Sequence, residues 1–146
     1  VVSGESDRTL GEVGEFEVIE RLTRGRPAFG DVLVGPGDDG AVVLASDGRV
    51  VISTDMLVEG RHFRLDWSSP HDVGRKALAQ NAADIEAMGA RVTSFVVGFG
   101  APAGTLAAQV NALADGMWFE AGRIGAGIAG GDLVSSPQWV VSVTVL

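Results

Sequence analysis

The chain has 146 residues, 46% of them hydrophobic and 21% charged, with a net charge of −8, no cysteine and one lysine, Lys76. That is enough for one globular domain with a core, and it excludes disulfides, thiolate zinc sites and a cysteine nucleophile. The acidity argues against a nucleic-acid or anionic-membrane surface, no apolar run is long enough to span a bilayer, and Val1-Val2-Ser3-Gly4 has neither a basic nor an apolar region of a signal peptide, so a cytoplasmic location is expected.

Residues 1–10 read as a polar, flexible tail ahead of a single domain over 11–146. Glu15–Arg24 reads as a helix, with Phe16, Ile19 and Leu22 three apart and Gly25 as its stop. Asp31–Val34 is a short strand, followed by a turn-rich loop over Gly35–Gly40. Ala41–Ala45 and Val50–Thr54 are expected to be strands joined in a hairpin by Asp47-Gly48. Met56–Ser68 reads as irregular. Ser69-Pro70-His71-Asp72 starts a helix, with Ser at the N-cap and Pro in the first turn, and Gly89 ends it.

Phe95–Gly100 is a strand and Thr105–Ala121 an amphipathic helix carrying Leu106, Val110, Leu113 and Met117 on one face. Ile124–Ala129 and Gln138–Val145 are the last two strands, the second buried on both faces. The order predicts an α+β fold: a mixed or antiparallel sheet with helices on one face. The chain starts without Met and ends on the strand-like run Trp139–Leu146, which gives the expectation that it is a piece of a longer protein.

Acidic residues cluster at element ends. Gly37-Asp38-Asp39-Gly40 precedes an apolar strand, Ser53-Thr54-Asp55 closes another, and Gly130-Gly131-Asp132 follows a third. On a helical wheel of about 100° per residue, Asp84 falls inside the apolar arc set by Val73, Ala77 and Met88, and so is expected on the core-facing side. A carboxylate there is expensive unless paired or bound to a metal. Each acid alone has a plainer reading. Gly-Asp-Asp-Gly and Gly-Gly-Asp are good turns, and Asp55 and Asp84 could be caps or ion-pair partners. Their conjunction points to oxygen-ligated Mg2+ holding a phosphorylated substrate. Lys76 lies on the polar side of its helix and is expected to face solvent. His62 lies in a loop, where it reads either as surface decoration or as a residue that, like the neighbouring Arg61, could meet a substrate phosphate. The chain has no Gly-x-x-x-x-Gly-Lys-Ser/Thr loop and no kinase-type glycine loop, so any use of ATP follows another scheme.

The run Ser53-Thr54-Asp55-Met56-Leu57-Val58-Glu59-Gly60-Arg61-His62-Phe63, the helix Asn81-Ala82-Ala83-Asp84-Ile85-Glu86-Ala87-Met88-Gly89-Ala90 and the glycine-acid pairs Gly37-Asp38-Asp39 and Gly130-Gly131-Asp132 resemble the thiamine-monophosphate kinases. These belong to the superfamily of aminoimidazole ribonucleotide synthetase. The resemblance covers about residues 14–146. It implies transfer of the ATP γ-phosphoryl to thiamine monophosphate, giving thiamine diphosphate. It also implies that Asp39, Ser53, Thr54, Asp55, Asp84 and Asp132 hold several Mg2+ ions, that Gly131 and Asp132 touch the nucleotide, and that His62 touches the substrate. It further implies an ATP- and Mg2+-binding N-terminal domain whose strands join those of a second copy in a dimeric barrel, without the C-terminal domain that such enzymes carry and inactive alone. The alternatives are another ATP-using member of the superfamily and a non-catalytic metal-nucleotide-binding or dimerisation module.

Overall fold

The computed structural model describes residues 7–37 and 39–146. The first six residues of the expected tail, and Asp38 of the Gly-Asp-Asp-Gly turn, lie outside the described residues. In chain order the elements are α1 (Leu10–Val13), α2 (Glu15–Thr23), β1 (Val32–Val34), β2 (Val42–Val43), β3 (Ser53–Val58), α3 (Pro70–Ala87), β4 (Ser94–Ala101), α4 (Ala107–Ile124), β5 (Gly127–Ser135) and β6 (Val140–Val145). Residues 8–11 are tied down: Leu10 and Gly11 donate backbone hydrogen bonds to Thr105 and Ala103, and Ala107 donates to Arg8.

Four strands form the main sheet in the order β3-β6-β4-β5, antiparallel at its first two junctions and parallel between β4 and β5, which α4 connects. Helices α3 and α4 pack on each other; α3 lies against β3 and β6, and α4 against β5. The expected α+β class with a mixed sheet is what forms. Alternation sends one side of every strand to the helices. Leu57, Phe95, Phe99, Leu133, Val141, Val143 and Val145 are buried there among Val73, Leu78, Ile85, Val110 and Met117.

The hairpin expectation is corrected. The Asp47-Gly48 turn exists, with Gly48 at φ +74° and its N–H on the Ala45 carbonyl. The segments it joins pair elsewhere, however: β2 with β1 and β3 with β6. Val50–Ile52 is not strand, and β3 runs on through Val58, into the stretch expected to be irregular. Non-local pairing and burial override the local turn signal here. Likewise β6 is an interior strand with one face buried and the other half-buried, rather than buried on both.

Helix α3 forms where expected. The Ser69 hydroxyl accepts from the Asp72 N–H at 3.2 Å and donates to the Asp72 carboxylate at 2.7 Å, and Pro70 occupies the first turn. Two glycines let α3 and α4 approach closely. A Cβ on Gly74 would sit 2.1 Å from the Leu113 carbonyl oxygen, and one on Gly116 would sit 2.0 Å from that of His71.

Candidate functional site

The register of β3 sorts its polar side chains between the two sheet faces. Ser53, Asp55 and Leu57 lie opposite Val145, Val143 and Val141. Those three valines are fully buried under the helices, and directly opposed residues share a face. Ser53 and Asp55 therefore point toward α3. Thr54 lies opposite Thr144 on the other, open face, where its hydroxyl donates to the Val143 carbonyl at 3.0 Å and accepts from Thr144 at 3.2 Å.

From α3, residues 76, 80 and 84 are spaced four apart and form one stripe along the helix. Each meets β3 or the loop after it. The Lys76 ammonium donates to the His62 carbonyl. The Gln80 amide donates to Asp55 Oδ2 at 2.7 Å. Asp84 Oδ2 accepts from the Ser53 hydroxyl at 3.4 Å. The match has a simple origin: two residues of strand advance by about 6.8 Å and four of helix by about 6 Å. Asp55 Oδ1 also accepts from its neighbour's N–H, that of Met56, at 3.1 Å.

Asp84 is exposed, so the expectation that it sits on the core side is corrected. The helical wheel superimposes all turns of α3. The approach of α4 is at His71 and Gly74, near the start of α3, and buries Val73 and Ala77 at the same wheel angle. Asp84, near the other end, lies beside the edge strand instead. Its neighbour on the wheel, Asn81, is fully buried, with Nδ2 on the Ala77 carbonyl and Oδ1 without a partner among the described residues. Lys76 is exposed as expected, but it is tied to the loop rather than free in solvent.

The loop after β3 carries His62, exposed, whose Nδ1 accepts from the Val58 N–H at 2.9 Å. In the neutral ring the proton is then on Nε2, which is left as an outward donor. Among the described residues every arginine but Arg61 has a carboxylate within 4.0 Å. Arg61 and Lys76 are thus cations without an acidic partner in a chain of net charge −8, and both flank His62. Asp55 and Asp84, conversely, are carboxylates with no basic partner at that distance among the described residues.

Gly131 and Asp132 lie within β5, opposite Val97 and Gly98, at the far edge of the sheet from β3. Leu133 points to the helices with Phe99, so Asp132 points to the open face. Asp132 is exposed and its Oδ1 accepts from the Leu133 N–H at 2.9 Å. Gly131 has a packing reason of its own: a Cβ there would sit 2.1 Å from the Val97 carbonyl oxygen. Asp39 is exposed in the loop between β1 and β2.

The chain therefore brings together Ser53, Asp55 and Asp84, with His62 at the end of the same seam. It places Thr54 and Asp132 on the opposite face. Among the described residues no three or more histidine, cysteine or acidic side chains gather closely enough to hold a metal ion. Two carboxylates and a hydroxyl nevertheless fit Mg2+, which keeps several waters and takes one or two carboxylates together with substrate phosphates. Sequence reasoning missed Gln80. Its spacing of four from both Lys76 and Asp84 was visible, but its partner depends on how β3 lies across α3.

Residues 37–146 match the family described as AIR synthase related protein, N-terminal domain. The thiamine-monophosphate kinase of Mycobacterium tuberculosis (strain ATCC 25618 / H37Rv) is 73% identical over 138 residues, covering 94% of this chain and 41% of that protein. The crystal structure of thiamine-monophosphate kinase from Stenotrophomonas maltophilia K279a superposes with a TM-score of 0.71 at 31% identity, over 87% of this chain and 39% of its own. That of AaThiL complexed with AMPPCP and TMP shares the fold, with a TM-score of 0.63 at 22% identity, over 92% of this chain and 41% of its own. The chain spans about two fifths of the length of these relatives. On these matches, and on the α+β architecture described above, the chain belongs to the family of AIR synthase related proteins, as their N-terminal domain.

Proposed function

We propose that this chain is the metal- and phosphate-handling part of a thiamine-monophosphate kinase, which transfers the γ-phosphoryl group of ATP to thiamine monophosphate and yields thiamine diphosphate and ADP. The observation that carries this reading is the α3 stripe. It sets Asp55 and Asp84, which have no basic partner within 4.0 Å among the described residues, in line with Lys76 and with the loop that carries Arg61 and His62. The 73% identity to a protein of that name and the likeness to a structure holding AMPPCP and TMP support the choice of substrates.

In this reading Asp55, Asp84 and Ser53 hold Mg2+ at the seam, while Thr54, Asp132 and Asp39 contribute ligands to further ions. Mg2+, when bound, supplies charge neutralisation between the two polyphosphorylated substrates. Gly131 and Asp132 meet the nucleotide. His62 offers Nε2–H to the acceptor substrate, and Arg61 and Lys76 offer charge to its phosphate. That phosphate already carries about −1.5 to −2 at pH 7, so it attacks without a general base. This suits a direct in-line transfer with no phosphoenzyme, in a chain that has no cysteine and no tyrosine.

The partner in the same reading is a second copy of the chain. The open face of the sheet carries Thr54, Met56, Val96, Ser142 and Thr144, and among the described residues no helix covers it. Met56 is 50% and Val134 52% exposed, and Val50 and Ile52, in the segment just before β3, are exposed as well. Two such faces closing on each other would form a shared barrel and bring the Thr54 and Asp132 face inside the assembly. Among the described residues no helix is long and apolar enough to cross a membrane; in the same reading the enzyme works in the cytoplasm.

The test is product identification with the full-length protein, ATP, Mg2+ and thiamine monophosphate. The reading expects thiamine diphosphate and ADP in equal amounts, and none without Mg2+. ATP consumption without thiamine diphosphate would move the protein to another ATP-using member of the superfamily.

A further inference from the structure

We propose that Gln80 is a positioning residue that orients the Asp55 carboxylate for the cation; the proposal rests on the metal-site reading above. Three observations lead to it. Gln80 Nε2 lies 2.7 Å from Asp55 Oδ2, the shortest of the carboxylate contacts along the seam. The amide must present its NH2 side, because its oxygen would face a carboxylate oxygen and be repelled. The Met56 N–H takes Oδ1, so each oxygen of Asp55 is engaged once by a protein donor and keeps lone-pair capacity for a cation.

The choice of a neutral donor is what separates Asp55 from most of the paired acids in the molecule. Asp31, Asp47, Asp66, Asp115 and Glu120 are held by arginines. A guanidinium fixes a carboxylate but also cancels its charge. An amide fixes it and leaves the full negative charge for a metal. Asp55 sits on an edge strand and is exposed, so without Gln80 its side chain would sample several rotamers, and ligation would have to freeze them. Gln80 is itself only half-buried, and a hydrogen bond at such a position adds little to the fold. It lies on the helix midway between Lys76, which holds the loop that carries His62, and Asp84, which accepts from Ser53.

The experiment is a calorimetric Mg2+ titration of the full-length protein as wild type, Gln80→Met, Asp55→Asn and the double variant, with the thermal midpoint of each metal-free form measured alongside. Removing a residue that orients a ligand weakens metal binding by roughly 10–100-fold in characterised sites, and the expected loss for Gln80→Met is about tenfold. Its metal-free midpoint should stay within about 4 °C of wild type. In the Asp55→Asn background, Gln80→Met should weaken binding no further. Unchanged Mg2+ affinity in Gln80→Met, with a loss in Asp55→Asn, overturns the positioning role and leaves the metal site standing. Unchanged affinity in Asp55→Asn overturns the metal-site reading, and this proposal with it. An undiminished effect of Gln80→Met in the Asp55→Asn background overturns the proposal too, because Gln80 would then act by another route.

Discussion

The two faces of the four-stranded sheet are built from the same strands and have opposite characters. On the helix side Leu57, Phe95, Val141, Val143 and Val145 are at most 1% exposed. On the other side Met56 is 50% and Val96 37% exposed, among threonines, serine and glycine. The first face explains why the chain folds. The second lacks what a solvated face normally has: its strands carry Thr54, Thr144, Ser142, Gly98 and Gly130 rather than the lysines and glutamates that keep sheets apart. Adjacent residues of β3 thus have different tasks. Leu57 anchors the core, Asp55 faces the helix seam at its rim, and Thr54 and Met56 face outward.

Neighbouring substitutions on β3 give the largest test of that difference. Leu57→Ala should cost about 2–5 kcal/mol of stability, the usual penalty for emptying a well-packed site. Met56→Ala, one residue away, should change the stability of the isolated fold by less than about 0.5 kcal/mol. Met56→Asp should leave the fold in place but split the proposed dimer, read by light scattering. Equal thermal losses for Leu57→Ala and Met56→Ala would mean that both faces are packed within one chain.

Smaller effects belong to the start of α3, which supports the seam from below. Ser69→Ala removes the cap on the Asp72 N–H and should cost about 1 kcal/mol, measured by denaturant unfolding. The Ser69 hydroxyl beside it also holds the Asp72 carboxyl below its ordinary range. A carboxyl depressed in the folded state adds stability that is fully present above its unfolded value and is lost as pH falls through the folded one. The Asp72 contribution should therefore be present at neutral pH and fade only below about pH 4. In Ser69→Ala this acid-side loss should shrink. A loss of equal size in both proteins would show that the cap does not set the Asp72 titration.

Much of the fold was legible because it rests on local chemistry. Ser69-Pro70 and Gly89 delimit α3 within a residue or two, and Phe95–Gly100 lies inside β4. What misled was anything decided at long range. Asp47-Gly48 makes its turn, but the flanking apolar runs are claimed by β1 and β6 rather than by each other. Gly130-Gly131-Asp132 reads as a turn after a strand, yet it lies inside β5, where Gly131 presses on the β4 backbone. Ser53, Asp55 and Asp84 were legible as candidate ligands by residue type. Their grouping, and the part of Gln80 in it, follows from the crossing of β3 over α3, which no local pattern encodes. The wheel placed Asp84 inside because it cannot register that α4 covers only part of the length of α3.

The proposed Mg2+ site at the β3–α3 seam is tested most directly at Asp84, which is exposed and whose loss should not disturb the core. Mg2+-dependent formation of thiamine diphosphate should be measured for Asp84→Asn in the full-length protein, with thermal unfolding as the control for folding. The account predicts an unfolding midpoint close to wild type and a fall in kcat/KM of about 100-fold or more, corresponding to the loss of about 2.7 kcal/mol or more of transition-state stabilisation. Normal turnover at ordinary Mg2+ concentrations would contradict it and leave Asp84 as a surface carboxylate that merely accepts a bond from Ser53.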